Sequence, residues 1–468
     1  MTGKRKRKLA MPDTLIIVAS VVLLVAILSW IIPSGTYDYQ EMNINGRIRN
    51  VAIDGTYHTI DKSEVTTTGF LGFFSVLYRG CVEAADVIFM ILCCCGTFGV
   101  VVKTGAFHAG IGTILKKLKG KEILLVPIIM MIFGLGGSVF GMASEFYGFY
   151  PLIVGLGVAL GYDAMFGFAI IAVGEFVGFM GATLNPYSVG IAQTISGVEL
   201  YSGTGYRAIC FVIFMAISII YVMVYGRKIK KNPGASVVFG EKNIHAFDRD
   251  ELNEYSFTLK DGLVLLDVLV VLVVLMLGLI KWGWDFPQLC GLFLLMSMIA
   301  AAICKWSPNK WCSEFIDSAK TAMWGCILTG IAKAITVVMQ DAQIMDTVIY
   351  GLSNVLKNAP HAVSAQVMLV VQTLINFFIP SATGQASATM PIMAQLADII
   401  GVSRQTAVLA FQFGDGLSNI FWPTADIVII CGLGGISLQK WYKWFTPLFL
   451  ILFLAQAVLV GIAAGIGY

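Results

Sequence analysis

PLIVGLGVALGYDAMFGFAIIAVGE, residues 151–175, has a counterpart 240 residues further on, PIMAQLADIIGVSRQTAVLAFQFGD, residues 391–415. Pro151, Gly161, Gly174 and Glu175 align with Pro391, Gly401, Gly414 and Asp415 without a gap. Upstream of each copy an apolar run is interrupted by small polar residues, Gly134–Ser138 in one and Pro380–Gly384 in the other. Downstream lies a second interruption in each, Thr183–Pro186 and Pro423–Asp426. Paired interruptions at matching points of two apolar halves are the pattern of a secondary transporter whose site lies between repeats near mid-membrane.

Composition agrees. Of 468 residues, 57% are hydrophobic and 13% charged, against about 25% charged in an ordinary soluble protein. Several apolar runs reach the roughly 20 residues needed to cross a hydrocarbon core about 30 Å thick. The fold class is therefore all-α integral membrane. The net charge of +3 carries no nucleic-acid signal, because the basic residues cluster where membrane topology requires them. Among the ten cysteines, Cys93, Cys94 and Cys95 are consecutive and point in different directions on a helix, so they read as small apolar filler rather than a metal site. His58, His108, His245 and His361 are isolated. No structural metal and no cofactor is expected; the coupling ion is read as H⁺ or Na⁺.

Positive charge orients the chain. Lys4, Arg5, Lys6, Arg7 and Lys8 precede an uncleaved first span at 13–32, placing the N-terminus in the cytoplasm of a cell whose plasma (inner) membrane holds the protein. Residues 33–70, polar and β-prone, fall outside; span 84–103 returns, and Lys116, Lys117, Lys119 and Lys121 follow inside. If 122–160 is one re-entrant hairpin entering from the cytoplasm, the broken span 163–196 leads out and 206–225 leads back to Arg227, Lys228, Lys230 and Lys231 inside. Counting 122–160 as a full crossing would put that basic cluster outside. A polar cytoplasmic linker, 232–258, divides an N-terminal half, 1–231, from a C-terminal half, 259–468. There, spans 262–281, 287–304 and 320–340 lead to a second hairpin, 364–400, now entering from outside; a broken span, 403–436, and a last span, 445–466, follow. The total is about nine spans plus two hairpins, and the two copies have opposite orientation, an inverted repeat.

Ionisable residues inside a membrane cost at least about 2.5 kcal/mol each, which makes them functional candidates. Glu145 follows the first interruption, Glu175 and Asp415 are the repeat-related pair, Asp426 lies in the last interruption, and Lys333 is the lone deep cation. The plainer account is a buried ion pair or a partly solvated group. Asp163, Asp267, Asp285 and Asp398 lie at span ends and read as solvated. Unwound backbone is tolerated in a membrane only where it lines a cavity or is buried in protein. Ser138, Ser144, Asn185, Ser381, Thr383 and Gln385, with Glu145, Lys333 and Asp426, are assigned to substrate. Glu175, Thr183, Asp415, Asn419 and Thr424 are assigned to ion coupling. Asp415, Asn419, Trp422 and Asp426 would share one face if the helix ran on through them. Four deep acids against one lysine favour a solute bearing an amino or guanidino group.

Met11-Pro-Asp-Thr14, Gly136-Gly-Ser-Val-Phe-Gly-Met142, Leu184-Asn-Pro186, Gly384-Gln-Ala-Ser-Ala-Thr-Met-Pro391 and Phe411-Gln-Phe-Gly-Asp-Gly416 together resemble the YfcC-like branch of the C4-dicarboxylate anaerobic carrier family, nearly end to end. The resemblance implies membership of the ion transporter superfamily, with inverted repeats, two hairpins and elevator-type, often dimeric, transport of a small organic solute. It leaves the solute open: similar sequences are assigned to arginine–ornithine exchange, and distant relatives carry aminobenzoyl-glutamate. Many relatives read Gly-Glu-Glu where this chain has Ala143-Ser144-Glu145, and carry neutral residues at the positions of Glu175 and Asp426.

The expected function is secondary active transport, antiport or ion-coupled symport, of a basic or zwitterionic amino acid such as arginine or ornithine. The alternative is a C4-dicarboxylate or short-peptide carrier of the same fold, with Lys333 as counter-charge. An enzyme would need a nucleophile–base pair or a metal motif in a span, and none is present in the sequence. A channel needs no second access state, so the repeat weighs against it. Without a Walker-type loop, the energy must come from gradients.

Overall fold

The computed structural model describes residues 14–44, 47–118, 122–241, 245, 257–357 and 363–468. The basic N-terminal run, Met11–Asp13, His361, Lys119, Lys121 and most of the 232–258 linker lie outside the described residues. Helices dominate. Seven of them are long and apolar enough to cross a membrane: Thr14–Ile31, Ala85–Lys103, Thr204–Lys231, Leu259–Leu279, Phe286–Ile303, Met323–Asp341 and Leu438–Ile466. All seven correspond to unbroken spans read from the sequence. The two broken spans appear as helix pairs, Ala164–Met180 with Val189–Ile195 and Arg404–Ser418 with Ile427–Gly434.

The internal repeat runs further than the sequence pattern alone. Helices begin at Phe70, Ala85, Ala106, Leu125, Ala164 and Val189, and again at Pro308, Met323, Met345, Ser364, Arg404 and Ile427, each 238 to 240 residues later. Packing is reciprocal. Phe70–Glu83 lies on Met323–Asp341, and Ala85–Lys103 lies on Pro308–Lys320. Phe149–Ala159 meets Ile427–Gly434, and Ala382–Ile399 meets Val189–Ile195. Ala164–Met180 crosses its own equivalent, Arg404–Ser418. When part i of one half meets part j of the other and j meets i, the halves are related by a two-fold axis.

Three expectations change. The chain is not purely helical: β1 (Ser34–Thr36) pairs antiparallel with β4 (His58–Ile60), and β2 (Tyr39–Ile44) with β3 (Arg47–Ala52). Four helices, Phe70–Glu83, Ala106–Leu118, Pro308–Lys320 and Met345–Lys357, were not anticipated. Each mixes polar and apolar faces and is too short to cross a bilayer, so a search for apolar runs passes over it. Finally, Gly134–Ser138 is not a break. The helix Leu125–Leu135 continues through it as a π-turn, Gly136–Phe140. The chain leaves helical geometry at Gly141, in the left-handed region at φ 69°, where a side chain is strained.

Of the glycines shared by the two copies, Gly161 and Gly401 have left-handed backbone at φ 80° and 71°, and Gly174 and Gly414 are explained by close helix approach. A Cβ on Gly174 would sit 3.0 Å from Cα of Met130, and one on Gly178 would sit 2.4 Å from Cα of Gly134. At the equivalent crossing, a Cβ on Gly414 would meet Gln372 at 2.9 Å. Small residues let backbones touch where no hydrophobic force drives helices together.

Candidate functional site

In each half, two short helices pack on the helix that follows them: Leu125–Leu135 and Phe149–Ala159 on Ala164–Met180, and Ser364–Phe378 and Ala382–Ile399 on Arg404–Ser418. The acids lie on the receiving helices. Glu175 and Asp415 are both 0% exposed. The two helices come within backbone contact: a Cβ on Gly416 would fall 2.4 Å from Cα of Met180, and Gln412 Nε2 donates to the Phe179 carbonyl at 2.7 Å.

Around Glu175 the surroundings are sparse. Tyr150 donates its hydroxyl to Glu175 Oε2 at 2.8 Å, and Oε1 has no partner. Tyr147, three residues earlier and just before the helix Phe149–Ala159, donates to Asp426 Oδ1 at 2.9 Å. Two neighbouring tyrosines of the first half thus hold one acid from each half. Asn419, which shares the Asn376 amide with Asp415, also accepts the Ile427 N–H on its carbonyl at 3.1 Å, next to Asp426. No salt bridge reaches Glu145, Glu175, Asp415 or Asp426 among the described residues.

Asp415 sits instead in a chain of amides. Asn376 Nδ2 approaches Asp415 Oδ1 at 2.8 Å, Asn419 Oδ1 at 3.1 Å and Gln385 Oε1 at 3.2 Å. Gln385 Nε2 donates to Gln372 Oε1 at 2.7 Å, and Gln372 Nε2 to Thr389 Oγ1 at 3.1 Å. Asp415 Oδ2 and Asn376 Oδ1 are left without partners.

The breaks are tied to the arms. Ser138 Oγ donates to the Gly181 carbonyl at 3.0 Å, and the Thr183 N–H donates to the Ser138 carbonyl at 2.9 Å. In the second half Thr424 Oγ1 donates to the Phe377 carbonyl at 2.7 Å, and Trp422 Nε1 to the Thr373 carbonyl at 2.7 Å. Thr383 links the halves, donating to the Tyr187 carbonyl at 2.9 Å. Asn185 Oδ1 accepts from the Tyr187 and Ser188 N–H groups at 2.9 and 3.2 Å. Glu145 Oε2 accepts from the Ala143 N–H at 3.0 Å, beside the half-buried Ser144. Ser381 is exposed and caps the Ala382–Ile399 helix, accepting from the Gly384 N–H.

Of the residues chosen from the sequence, Asp415, Asn419 and Gln385 meet in one network. Ser138 and Thr183 meet in another, and Glu175 and Asp426 are joined through neighbouring tyrosines. Ser381 and Thr424 have structural bonds to backbone. Lys333, half-buried on Met323–Asp341, forms no ion pair or hydrogen bond with any of the acids among the described residues. The polar stripe from Asp415 to Asp426 is not one helical face: the helix ends at Ser418, Asn419 caps it, and Asp426 begins the next helix.

Several residues were missed. Tyr147 and Tyr150 recur at a spacing of three in Glu145-Phe-Tyr-Gly-Phe-Tyr150, a signal overlooked because aromatics in an apolar run pass for core. Asn376, Gln372 and Gln412 are lone amides in apolar helices. Arg207 opens a span and so looks like a surface charge, yet it is 1% exposed. Its Nη2 and Nε donate to the Thr183 carbonyl at 3.1 and 3.3 Å, Nη2 also to Thr204 Oγ1 at 3.1 Å, and Nη1 to the Tyr468 hydroxyl at 3.0 Å.

The YfcC protein of Escherichia coli (strain K12), whose name gives basic amino acid antiport as its proposed activity, is 32% identical over 100% of this chain and 99% of its own length. An uncharacterized protein of Haemophilus influenzae (strain ATCC 51907 / DSM 11121 / KW20 / Rd) is 27% identical over 98% of both chains. Two solved structures, the Alcanivorax borkumensis YdaH transporter and the Neisseria gonorrhoeae MtrF efflux pump, are each 15% identical with a TM-score of 0.44. The first alignment covers 98% of this chain and 99% of YdaH, the second 97% and 96% of MtrF; at that level nothing rests on the likeness. The family described as DcuC, C4-dicarboxylate anaerobic carrier, matches residues 11–465. With that match and the full-length relationship to YfcC, the chain belongs to the C4-dicarboxylate anaerobic carrier family and is a multi-pass membrane transporter.

Proposed function

We propose that this transporter is a secondary active carrier that exchanges or symports a basic or zwitterionic amino acid, arginine or ornithine being the first candidates. The observation that carries the reading is the gathering of Glu175, Asp415 and Asp426 in one buried neighbourhood with no cationic partner among the described residues. Uncompensated buried carboxylates are costly, so protons, Na⁺ or the cationic group of a solute must neutralise them during the cycle. The proposed basic amino acid antiport of YfcC points the same way.

The re-entrant, inverted arrangement is part of this reading. The arm Phe149–Ala159 has 11 residues and spans roughly 16 Å, about half a hydrocarbon core. That length supports a hairpin that enters and leaves on one side. The division at 232–258, the cytoplasmic N-terminus, the plasma-membrane location and a dimeric, elevator-type cycle follow from charge placement and family resemblance. Glu175 and Asp415 carry the coupling ion, with Thr183, Asn419 and Thr424 holding the breaks around them. Ser138, Ser144, Glu145, Asn185, Ser381, Thr383, Gln385 and Asp426 frame the solute.

A second reading, dicarboxylate transport, is favoured by one observation: Lys333 is a deep cation with no anionic partner among the described residues. Purified protein in proteoliposomes decides between them. Loaded with arginine, ornithine, lysine, a neutral amino acid or succinate, with and without Na⁺, the vesicles should exchange the basic amino acids. Exchange of succinate alone sinks the amino-acid reading.

A further inference from the structure

Among the described residues, two groups of buried polar atoms near the helix crossing and the first break lack hydrogen-bond partners, and they differ in chemical sign. Around the helix crossing they are acceptors: Glu175 Oε1, Asp415 Oδ2 and Asn376 Oδ1. At the first break they are able to donate: Asn185 Nδ2 and Ser188 Oγ. The Asn185 amide cannot be turned around, because its Oδ1 already accepts two backbone N–H groups, from Tyr187 and Ser188. Its NH₂ group is therefore the orphan, fully buried, 2.9 Å from where a Cβ on Gly141 would lie. An unsatisfied buried donor costs about 1–3 kcal/mol and calls for a partner that the protein itself does not supply.

Charge follows the same division. Arg207 bonds the Thr183 carbonyl, two residues before Asn185, and no carboxylate pairs with it among the described residues. In the second half the last helix donates from neutral groups to carbonyls just before the break: Trp441 Nε1 to the Ile420 carbonyl at 2.8 Å and the Tyr442 hydroxyl to the Phe421 carbonyl at 2.8 Å. The first break carries a fixed positive charge, and the second carries Asp426. Glu145, the acid nearest the first tip, turns back onto the Ala143 N–H.

We infer that the site is dipolar and seats its solute in one orientation, with a carboxylate against Asn185 and Ser188 and a cationic group toward Glu175 and Asp415. This rests on the amino-acid reading above and adds the direction in which the amino acid lies. Removing the carboxylate should strand the donors at the first break, whereas altering the solute's far end should not.

The test uses the full chain in proteoliposomes and counterflow of labelled arginine, with arginine, agmatine (arginine without its carboxylate) and succinate as competitors. Wild type should prefer arginine over agmatine by at least about tenfold, the size of one charge-assisted hydrogen bond. Asn185→Asp keeps the oxygen that caps Tyr187 and Ser188 and replaces only the NH₂ group by a negative oxygen. It should bring the two competitors within about threefold or reverse their order, a change in selectivity that a purely structural role of Asn185 does not produce. Ser188→Ala should narrow the preference less, and it decides the matter if Asn185→Asp fails to fold. If wild type exchanges arginine but binds agmatine equally well, or if Asn185→Asp keeps the wild-type preference, the orientation is wrong and the amino-acid reading stands. If labelled arginine does not exchange and labelled succinate does, both are wrong.

Discussion

Glu175 and Asp415 stand at equivalent points of the two halves, on helices that begin 240 residues apart, and their surroundings differ at nearly every matching position. Asp415 has Asn376, Gln372, Thr389 and Asn419 around it; the residues 240 positions earlier are Gly136, Ile132, Phe149 and Phe179. Gln385 matches Glu145, which turns away to backbone. Tyr150, the one donor to Glu175, matches Met390. One scaffold, used twice, therefore holds one acid in a network of amides and another by a single phenol. The backbone repeats and the side chains do not, so the two acids meet different chemistry.

The comparison breaks most readily at the acids themselves. Asp415→Asn and Glu175→Gln should each lower coupled transport about a hundredfold or more, the loss of roughly 3 kcal/mol of charge interaction, with the variants still inserted and monodisperse by size-exclusion chromatography. Wild-type rates in both would remove them from the mechanism. Next comes the crossing that joins the halves. Gly416→Ala should lower stability by about 1–3 kcal/mol through overpacking against Met180, read as a drop in thermal midpoint. Gly351→Ala, whose Cβ meets nothing within 4 Å, should leave that midpoint unchanged or raise it.

The surroundings can then be compared directly. Asn376→Leu removes the donor that serves Asp415, Asn419 and Gln385 and should cost about 2–3 kcal/mol, whereas Tyr150→Phe removes one bond and should cost about 1–2 kcal/mol. Equal losses in thermal stability would mean that the two acids are held alike. The smallest effect is expected at Lys333. Lys333→Gln should leave arginine exchange within about twofold of wild type, and a collapse of uptake would favour the dicarboxylate reading.

Much of this was legible in the residues. The spacing of Pro151, Gly161, Gly174 and Glu175 announced a repeat, and the seven unbroken spans follow from apolar length, which the bilayer sets directly. The amphipathic helices of each repeat were hidden, because they are short and not apolar throughout. The break near Gly141 was displaced from the expected Gly134–Ser138 because glycine there serves helix contact: a Cβ on Gly137 would lie 2.6 Å from the Glu175 carbonyl oxygen. Small residues announce closeness, and only the partner's position tells whether the chain also turns. The site was half legible. Acids stand out in an apolar run, but amides and tyrosines do not, and Arg207 was disguised by its place at the start of a span.

The four strands between the first two helices have a mechanical consequence. The strand-bearing segment is fastened to Met345–Lys357: Asp346 accepts from the Tyr37 N–H at 3.0 Å and the Tyr39 hydroxyl at 2.8 Å, and Tyr57 stacks on Tyr350 at 4.1 Å. β3, however, rests on Ala382–Ile399, a helix that precedes the second break in the chain. The β2–β3 pair thus touches both helices, Met345–Lys357 through Tyr39 and Ala382–Ile399 through β3, like a strip glued across a seam. Any sliding of that arm past its neighbour must shear the strip or drag it along, so the rate at which a protease nicks residues 39–52 becomes a strain gauge for the transport cycle, readable without labelling the solute.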